Sequence, residues 1–430
     1  MNVLCLKCKG RGFCGREYCP IYAKANSMLK VKRTFLTGIK DEFYSRAPSV
    51  LVGRSGYPNV SVGILAPPEI PELLEQAEIY DSPKIWSSMN FSVGKVIELR
   101  SGLINSKAKA PVLSASSRMR SRILELAQEV SMAARPVEVE IQLEDIPKFR
   151  MNLSPELAPF GPEAKLRRAE LAENPKVMPA VEKAVSDYDF RASEAITTLF
   201  SRGVDETAIT KLLSTGTLGV RTERKVVPTR WAITAVDDSL GRSIISEIKQ
   251  HQISDCMAFF GGYLGNYYLI LLFPDVWSYE LFETYMPKAE WNQTNDIQFM
   301  TDYEPYSGRK SYAEECGGGY YAARLAVLEG LRKIKRQASV LAIRVITGEY
   351  FCPLGVWVVR EACRKAMASK PIEFGDSSLM LRYASALLKK KFGVEASFIF
   401  RRSQMLRNIL GQAKLSDFIK SENPNRLVQN

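Results

Sequence analysis

Histidine is almost missing from this sequence. His251 is its single copy, so no pair of histidines can hold a catalytic zinc, and only one is available to activate a nucleophile. It closes a predicted helix in Lys249-Gln250-His251-Gln252, the place of a solvated helix end. No Gly-x-x-x-x-Gly-Lys-Ser/Thr loop occurs, which argues against a P-loop ATPase or helicase. Apolar runs stay short of the roughly 18 residues that a membrane span needs. The Met-Asn-Val-Leu-Cys start does not read as a signal peptide. These absences predict a cytoplasmic chain with no membrane partner, whose chemistry, if it has any, rests on carboxylates and arginines.

What is present is a large chain with a basic balance. Its 430 residues exceed the size at which one hydrophobic core stops growing, which predicts more than one domain. Apolar residues make up 46%, enough for sizeable cores and too many for a disordered chain. Lys and Arg number 59 against 47 Asp and Glu, and the resulting charge of +12 favours a polyanionic partner such as nucleic acid. A merely soluble basic surface has the same balance.

Four of the eight cysteines, Cys5, Cys8, Cys14 and Cys19, crowd the beginning of the chain. Thiolates this close in a reducing compartment are most simply explained by one tetrahedral structural zinc, which folds a loop-rich segment lacking a core. A four-thiolate iron-sulfur cluster is the alternative. Lys7, Lys9, Arg11 and Arg16 interleave with these cysteines. The zinc knuckle therefore reads either as a basic contact to nucleic acid or as a knob docked on the main body. Cys256, Cys316, Cys352 and Cys363 lack such spacing and read as buried thiols.

Residues 225–238 read as a buried strand, opened by Pro228, filled by Trp231, Ile233 and Val236, and ending in two adjacent carboxylates. Asp237 and Asp238 are then either caps of the helix that follows or catalytic ligands of a second, divalent metal at the carboxyl end of a strand. In the catalytic reading Arg54 and Arg230 contact a phosphate, and Asp302 and Glu304 complete the set if the fold brings them near. Arg54 begins a glycine turn ending at Asn59, which reads as a hairpin turn or as a cradle of phosphate donors.

Five segments are predicted: a zinc knuckle and basic segment (1–46), a strand-rich region (47–153), a helical insert (154–219) with helices at 163–173, 179–187 and 191–202, an α/β core (220–405) and a flexible tail (406–430). In the core, strand 229–236, helix 239–250, strands near Met257 and at 267–273, helix 275–286 and strand 296–302 follow the order of a ferredoxin-like unit. The fold class expected is α+β with a mixed or antiparallel sheet. Further on, Cys316-Gly-Gly-Gly-Tyr-Tyr leads straight into a long helix, and its glycines admit either a phosphate or a second backbone.

In the tail, Gln412, Leu415, Phe418 and Ile419 stand at i, i+3, i+6 and i+7, so one helical turn gathers the apolar groups on one side. The spacing resembles a clamp-binding box, with Ile419 where a second aromatic often stands. An amphipathic last helix packed on its own domain is the other reading.

Together, the four-cysteine start, the Gly53-Arg-x-Gly-Tyr-Pro-Asn-Val turn, Val227-Pro-Thr-Arg-Trp-Ala-Ile-Thr-Ala-Val-Asp-Asp and Gly317-Gly-Gly-Tyr-Tyr-Ala-Ala-Arg-Leu-Ala resemble the archaeal NreA family of DNA repair proteins over essentially the whole chain. The resemblance implies a DNA-damage role, a zinc-binding N-terminus and, through a PIP-like C-terminal motif, association with the sliding clamp PCNA. It supplies no catalytic residue. Two classes of function stay open: a clamp-tethered factor that binds DNA, and a metal-dependent phosphodiesterase or nuclease acting on nucleic acid or nucleotides. RNA binding through aromatics on a ferredoxin-like sheet is a third.

Zinc at Cys5, Cys8, Cys14 and Cys19 is expected at one per chain. Structural zinc contributes on the order of 10 kcal/mol in small sites, so losing one thiolate should unfold the knuckle locally. Elemental analysis of anaerobically purified protein that finds no bound metal removes the expectation.

Overall fold

Two six-stranded sheets and the helices laid on them build the molecule. The computed structural model describes residues 7–15, 19–35, 40–117, 121–148, 161–292 and 294–411. Cys5, Gln412, Leu415, Phe418 and Ile419 lie outside them.

After a first helix, α1 (Pro20–Phe35), come β1 (Glu42–Ala47), β2 (Ser49–Val52), β3 (Asn59–Ala66), β4 (Ile104–Pro111), β5 (Val137–Leu143) and β6 (Glu163–Leu171). They form the first sheet in the order β1-β5-β6-β4-β3-β2, antiparallel except for the β4-β6 pair. The period-two alternation of β5 buries Val139, Ile141 and Leu143 in one core with Ile123, Leu124 and Ala127 of α2 (Arg122–Met132). Residues 163–173 are not the helix expected from their Ala, Leu, Glu, Lys and Arg content. They pair with both β5 and β4, and the alternation of Ala164 with Leu166 meets the same core. Tertiary pairing overrides helix propensity here.

The helices α3 (Pro179–Ser186) and α4 (Ala192–Ser201) follow as expected, and α5 (Glu206–Ser214) is a further helix of the same segment. They pack against α6 (Thr229–Ile248) through Ile196, Leu199, Ile209 and Leu212. α6 is the main departure from the sequence reading, because residues 229–236 are its first half and not a strand. Ala232, Val236, Leu240, Ile244 and Ile248 are all buried, a spacing of four that β-branched residues conceal in a short window. Pro228 is the N-cap, where its missing N–H costs nothing.

The second sheet contains β7 (Cys256–Tyr263), β8 (Asn266–Phe273), β9 (Ser278–Tyr285), β10 (Gln298–Glu304), β11 (Ser339–Ile346) and β12 (Ile372–Phe374), in the order β10-β9-β11-β8-β7-β12. Only β9 and β11 run parallel. The crossover between them is α7 (Gly318–Ile334), which lies beside α6 and α8 (Trp357–Met367) on one face. α9 (Ser377–Phe392), α10 (Ala396–Arg402) and α11 (Gln404–Gly411) cover the other face through Met380, Leu388, Ile399 and Leu406.

Residues 275–286, expected as a helix, contain β9, a central strand buried on both faces. With 229–236 helical and 278–285 extended, the ferredoxin-like order is not formed. The mixed α and β character and the mixed sheets stand. The charges in β9 explain the misreading: Glu280 and Glu283 give it a helix-like composition, yet each has an internal partner. Glu280 accepts hydrogen bonds from Ser403 Oγ at 2.5 Å and from the amides of Gln404 and Met405 at 3.0 Å each, so it caps the start of α11.

Candidate functional site

The parallel pair β9-β11 gives the second sheet one edge where carboxyl ends of strands meet helix N-termini, the usual location of sites in α/β sheets. A Cβ at Gly318 would stand 3.3 Å from Thr234 Oγ1 and 3.5 Å from Val356 Cγ2. Asp238 meets Arg324 and Asp237 meets Arg360 farther along the same helices. α6, α7 and α8 therefore run in one direction, with the starts of α7 and α8 meeting the second turn of α6 at Gly318, Val356 and Thr234. None of the three has a side-chain cap. Amides and dipoles give this end positive potential.

The glycine run has a specific cause. A Cβ on Gly319 would fall 2.8 Å from Glu283 Oε1, so glycine is what lets a buried carboxylate, rather than a phosphate, approach the first turn of α7. Glu283 is ion-paired with Arg344, whose Nε and Nη2 also donate to Asn266 Oδ1 at 3.0 and 2.5 Å.

Asp237 and Asp238 sit in the middle of α6, where adjacent side chains project about 100° apart. This corrects their placement at the carboxyl end of a strand and their role as caps. Asp237 is fully buried, and its Oδ1 and Oδ2 accept from Arg360 Nη2 at 2.7 and 2.8 Å. Arg360 also donates to Glu206 of α5 at 3.5 Å, and Glu206 accepts from Arg364 at 2.7 Å. Burial pushes the Asp237 carboxyl above its ordinary value against the pull of Arg360. Burial would raise Glu206 too, but Arg360, Arg364 and Lys84 outweigh it and hold Glu206 well below the ordinary carboxylate range.

Asp238 faces the other way. Its Oδ1 accepts from Arg324 Nη2 at 2.5 Å and its Oδ2 from Arg242 Nε at 2.8 Å. Arg324 Nη1 reaches Glu304 Oε2 at 2.5 Å. The fold does bring Glu304 toward Asp238, and the cation between them is a guanidinium. Asp302 serves a turn, accepting the amides of Glu314, Glu315 and Cys316 at 3.3, 3.1 and 2.8 Å and pairing with Arg309 at 3.1 Å. Among the described residues no three of His, Cys, Asp or Glu are grouped to hold a metal ion.

Arginines 324, 344 and 360 were missed as organising residues. Their signal was a lone arginine inside an apolar run, as in Val340-Leu-Ala-Ile-Arg-Val-Ile346, which demands a buried counter-charge.

At the N-terminus, Cys8 and Cys14 come together. Burial would raise the Cys8 thiol, but the amides of Cys14, Phe13 and Gly12 and the Cys14 side chain hydrogen-bond to it and hold it below its ordinary value. Cys19 Sγ accepts the Tyr22 amide at 3.5 Å. A Cβ on Gly15 would stand 3.2 Å from Lys288 Nζ, in the loop that leaves the carboxyl end of β9. The cysteine segment thus docks at the same edge as the starts of α7 and α8, with Lys7, Lys9 and Arg11 exposed.

Arg54 and Arg230 are both exposed. Arg54 stands in the β2-β3 turn and Arg230 in the first turn of α6, and neither touches Asp237. Between these segments Tyr57 and Trp231 are in ring contact, with centroids 5.5 Å apart.

A family model described as Archaeal Nre, N-terminal, matches residues 13–292, and one described as Archaeal Nre, C-terminal, matches residues 304–418. The chain is similar to the DNA repair protein NreB of Archaeoglobus fulgidus, 38% identical over 403 residues that cover 93% of this chain and 97% of that one. It is 38% identical over 339 residues to the DNA repair protein NreA of Haloferax volcanii, covering 77% and 80%. With NreA of Archaeoglobus fulgidus the identity is 36% over 393 residues, covering 91% and 95%. No solved structure matches the chain.

The buried pair at Asp237 makes a stability prediction. Asp237→Ala removes the close partner of Arg360 and leaves it only the 3.5 Å contact to Glu206, so it should lower the unfolding free energy by about 3 kcal/mol, whereas Asp237→Leu with Arg360→Leu should recover much of the loss. Denaturant titration of the three proteins checks this, and an Asp237→Ala variant as stable as the parent refutes it.

Proposed function

Since this chain belongs to the archaeal Nre family, we propose that it is a DNA repair factor that binds nucleic acid and is tethered to the sliding clamp PCNA by its C-terminal segment. The relatives' names supply the process. The observation that carries the nucleic-acid part is the composition of one edge: the uncapped starts of α7 and α8, the docked cysteine segment with Lys7, Lys9 and Arg11 exposed, and the Lys288 loop. Amides and cations gathered at one edge suit a phosphate backbone, with Glu314, Glu315 and Glu349 the exposed carboxylates nearest to it in the chain.

The cysteine segment fits a structural zinc. Cys8 and Cys14 are adjacent and amides already favour the Cys8 thiolate; four thiolates at Cys5, Cys8, Cys14 and Cys19 are a donor set that suits zinc, and closing it requires Cys19, which is not grouped with that pair among the described residues, to join them. Such an ion would fix the knuckle and the lysines on it, and would take no part in bond breaking. Asp237, Asp238 and Glu304, each engaged by an arginine, lend no support to the nuclease reading.

The tether rests on Gln412, Leu415, Phe418 and Ile419 and on where they begin, immediately after α11. A box of that spacing folds one turn on its partner and inserts Phe418 as the anchor.

Two measurements test the proposal. Affinity for a DNA oligonucleotide should fall roughly 100-fold between ~50 and ~200 mM salt if about four phosphates are contacted; salt-independent affinity contradicts it. Removing residues 411–430 should leave the folding transition intact and abolish binding to purified clamp, and Phe418→Ala should do most of the same damage. Clamp affinity that survives both changes rules the tether out.

A further inference from the structure

Tyr57 and Trp231 are 54% and 47% exposed, although they touch each other across two segments far apart in sequence. Their planes are inclined at 53°, and about half of each residue's surface stays open to solvent. The buried side of α6 is Ala232, Val236 and Leu240, and Trp231 lies off that stripe.

The two rings are held in place. The Val52 amide donates to Thr229 Oγ1 at 2.9 Å, tying the end of β2 to the first residue of α6, and Thr229 Oγ1 lies 3.0 Å from Ser214 Oγ. The β2-β3 turn is closed by the Gly53 amide on Ser61 O and the Asn59 amide on Gly56 O, each at 2.8 Å. Gly56 has φ +85°, which keeps the turn tight beneath Tyr57. Lys109 Nζ donates to Ser55 O and Asn59 O at 3.4 and 3.5 Å. Ordering cost for a ligand is therefore low on the protein side.

The surroundings are cationic. Arg54 precedes Tyr57 in the same turn, Arg230 precedes Trp231 in the same helix, and Lys109 lies under the turn. Exposed aromatic faces edged by arginine and lysine suit a single strand, because every base offers a π-face and every linkage an anionic phosphate. A duplex hides its base faces in the stack.

We propose that Tyr57 and Trp231 form a stacking platform for an unpaired base of single-stranded DNA, with Arg54 and Arg230 on the flanking phosphates. This rests on the reading of the chain as a nucleic-acid-binding repair factor and names the substrate class of that binding.

The test compares wild type with Trp231→Ala, Tyr57→Ala and Trp231→Phe at fixed low salt. The probes are a single-stranded oligodeoxynucleotide carrying one 2-aminopurine, the same sequence as a blunt duplex, and the ribonucleotide strand. Thermal unfolding of each variant confirms that these exposed changes leave the fold intact. Trp231→Ala and Tyr57→Ala should each weaken single-strand binding roughly 10- to 100-fold, with duplex affinity within about twofold of wild type, and Trp231→Phe should retain most of the affinity. Quenching of 2-aminopurine fluorescence on binding should be lost with Trp231→Ala. Single-strand affinity unchanged in both alanine variants, or equal losses on duplex and single strand, overturns the platform while leaving nucleic-acid binding in place. Wild type that binds none of the three probes overturns both. Preference for the ribonucleotide strand overturns the DNA assignment, and loss of clamp binding alone in Trp231→Ala reassigns the patch to a protein partner.

Discussion

Three buried arginines hold the second sheet and its helices in one arrangement. Arg360 on α8 binds Asp237 of α6 and Glu206 of α5. Arg324 on α7 binds Asp238 of α6 and Glu304 of β10. Arg344 on β11 binds Glu283 of β9. A guanidinium in an apolar interior is tolerated only when its charge and most of its N–H groups are matched. Sliding any one of these helices by a turn would strand a charge. Hydrophobic packing is less exacting about register than a buried charge pair, so the ion pairs are what select a single alignment of α6, α7 and α8. Whether each pair adds net stability over an apolar substitute is secondary to that selection.

The alignment in turn places the candidate site. With the three helices parallel, the starts of α7 and α8 and the second turn of α6 share one edge with the carboxyl ends of β9 and β11, and Glu283 reaches that edge because Gly319 lacks a Cβ. The cysteine segment reaches the same edge beside Lys288. The aromatic pair lies at the outermost turn of α6, where the first sheet meets it through Val52 and Thr229.

Several features were legible because they are local. Four closely spaced cysteines, the alternation of β5, the helices at Pro179–Ser186 and Ala192–Ser201 and the family motifs each sit within a short stretch and depend on little else. The errors share one cause. β6 has helix-forming residues and β9 carries two glutamates, while the start of α6 is rich in β-branched and aromatic residues, so each segment's composition opposed its final state. In all three, partners distant in sequence decided the outcome: β5 and β4 for β6, Arg344 and Ser403 for β9, and the four-residue spacing against two helical layers for α6.

The carboxylates teach the same lesson at the level of single groups. Composition and order along the chain determined that it is basic, rich in apolar residues, has four closely spaced cysteines near one end, and belongs with the Nre proteins. They also showed that Asp237 and Asp238 are adjacent, but adjacency carries opposite meanings in a strand and in a helix. Only the tertiary structure decided that these two side chains diverge by about a third of a turn and meet different arginines. It likewise decided that Tyr57 and Trp231 become neighbours. A charge's counter-ion and a ring's partner come from whatever element folding brings alongside, and that is settled by packing over the whole chain and not by the residues next to them in sequence.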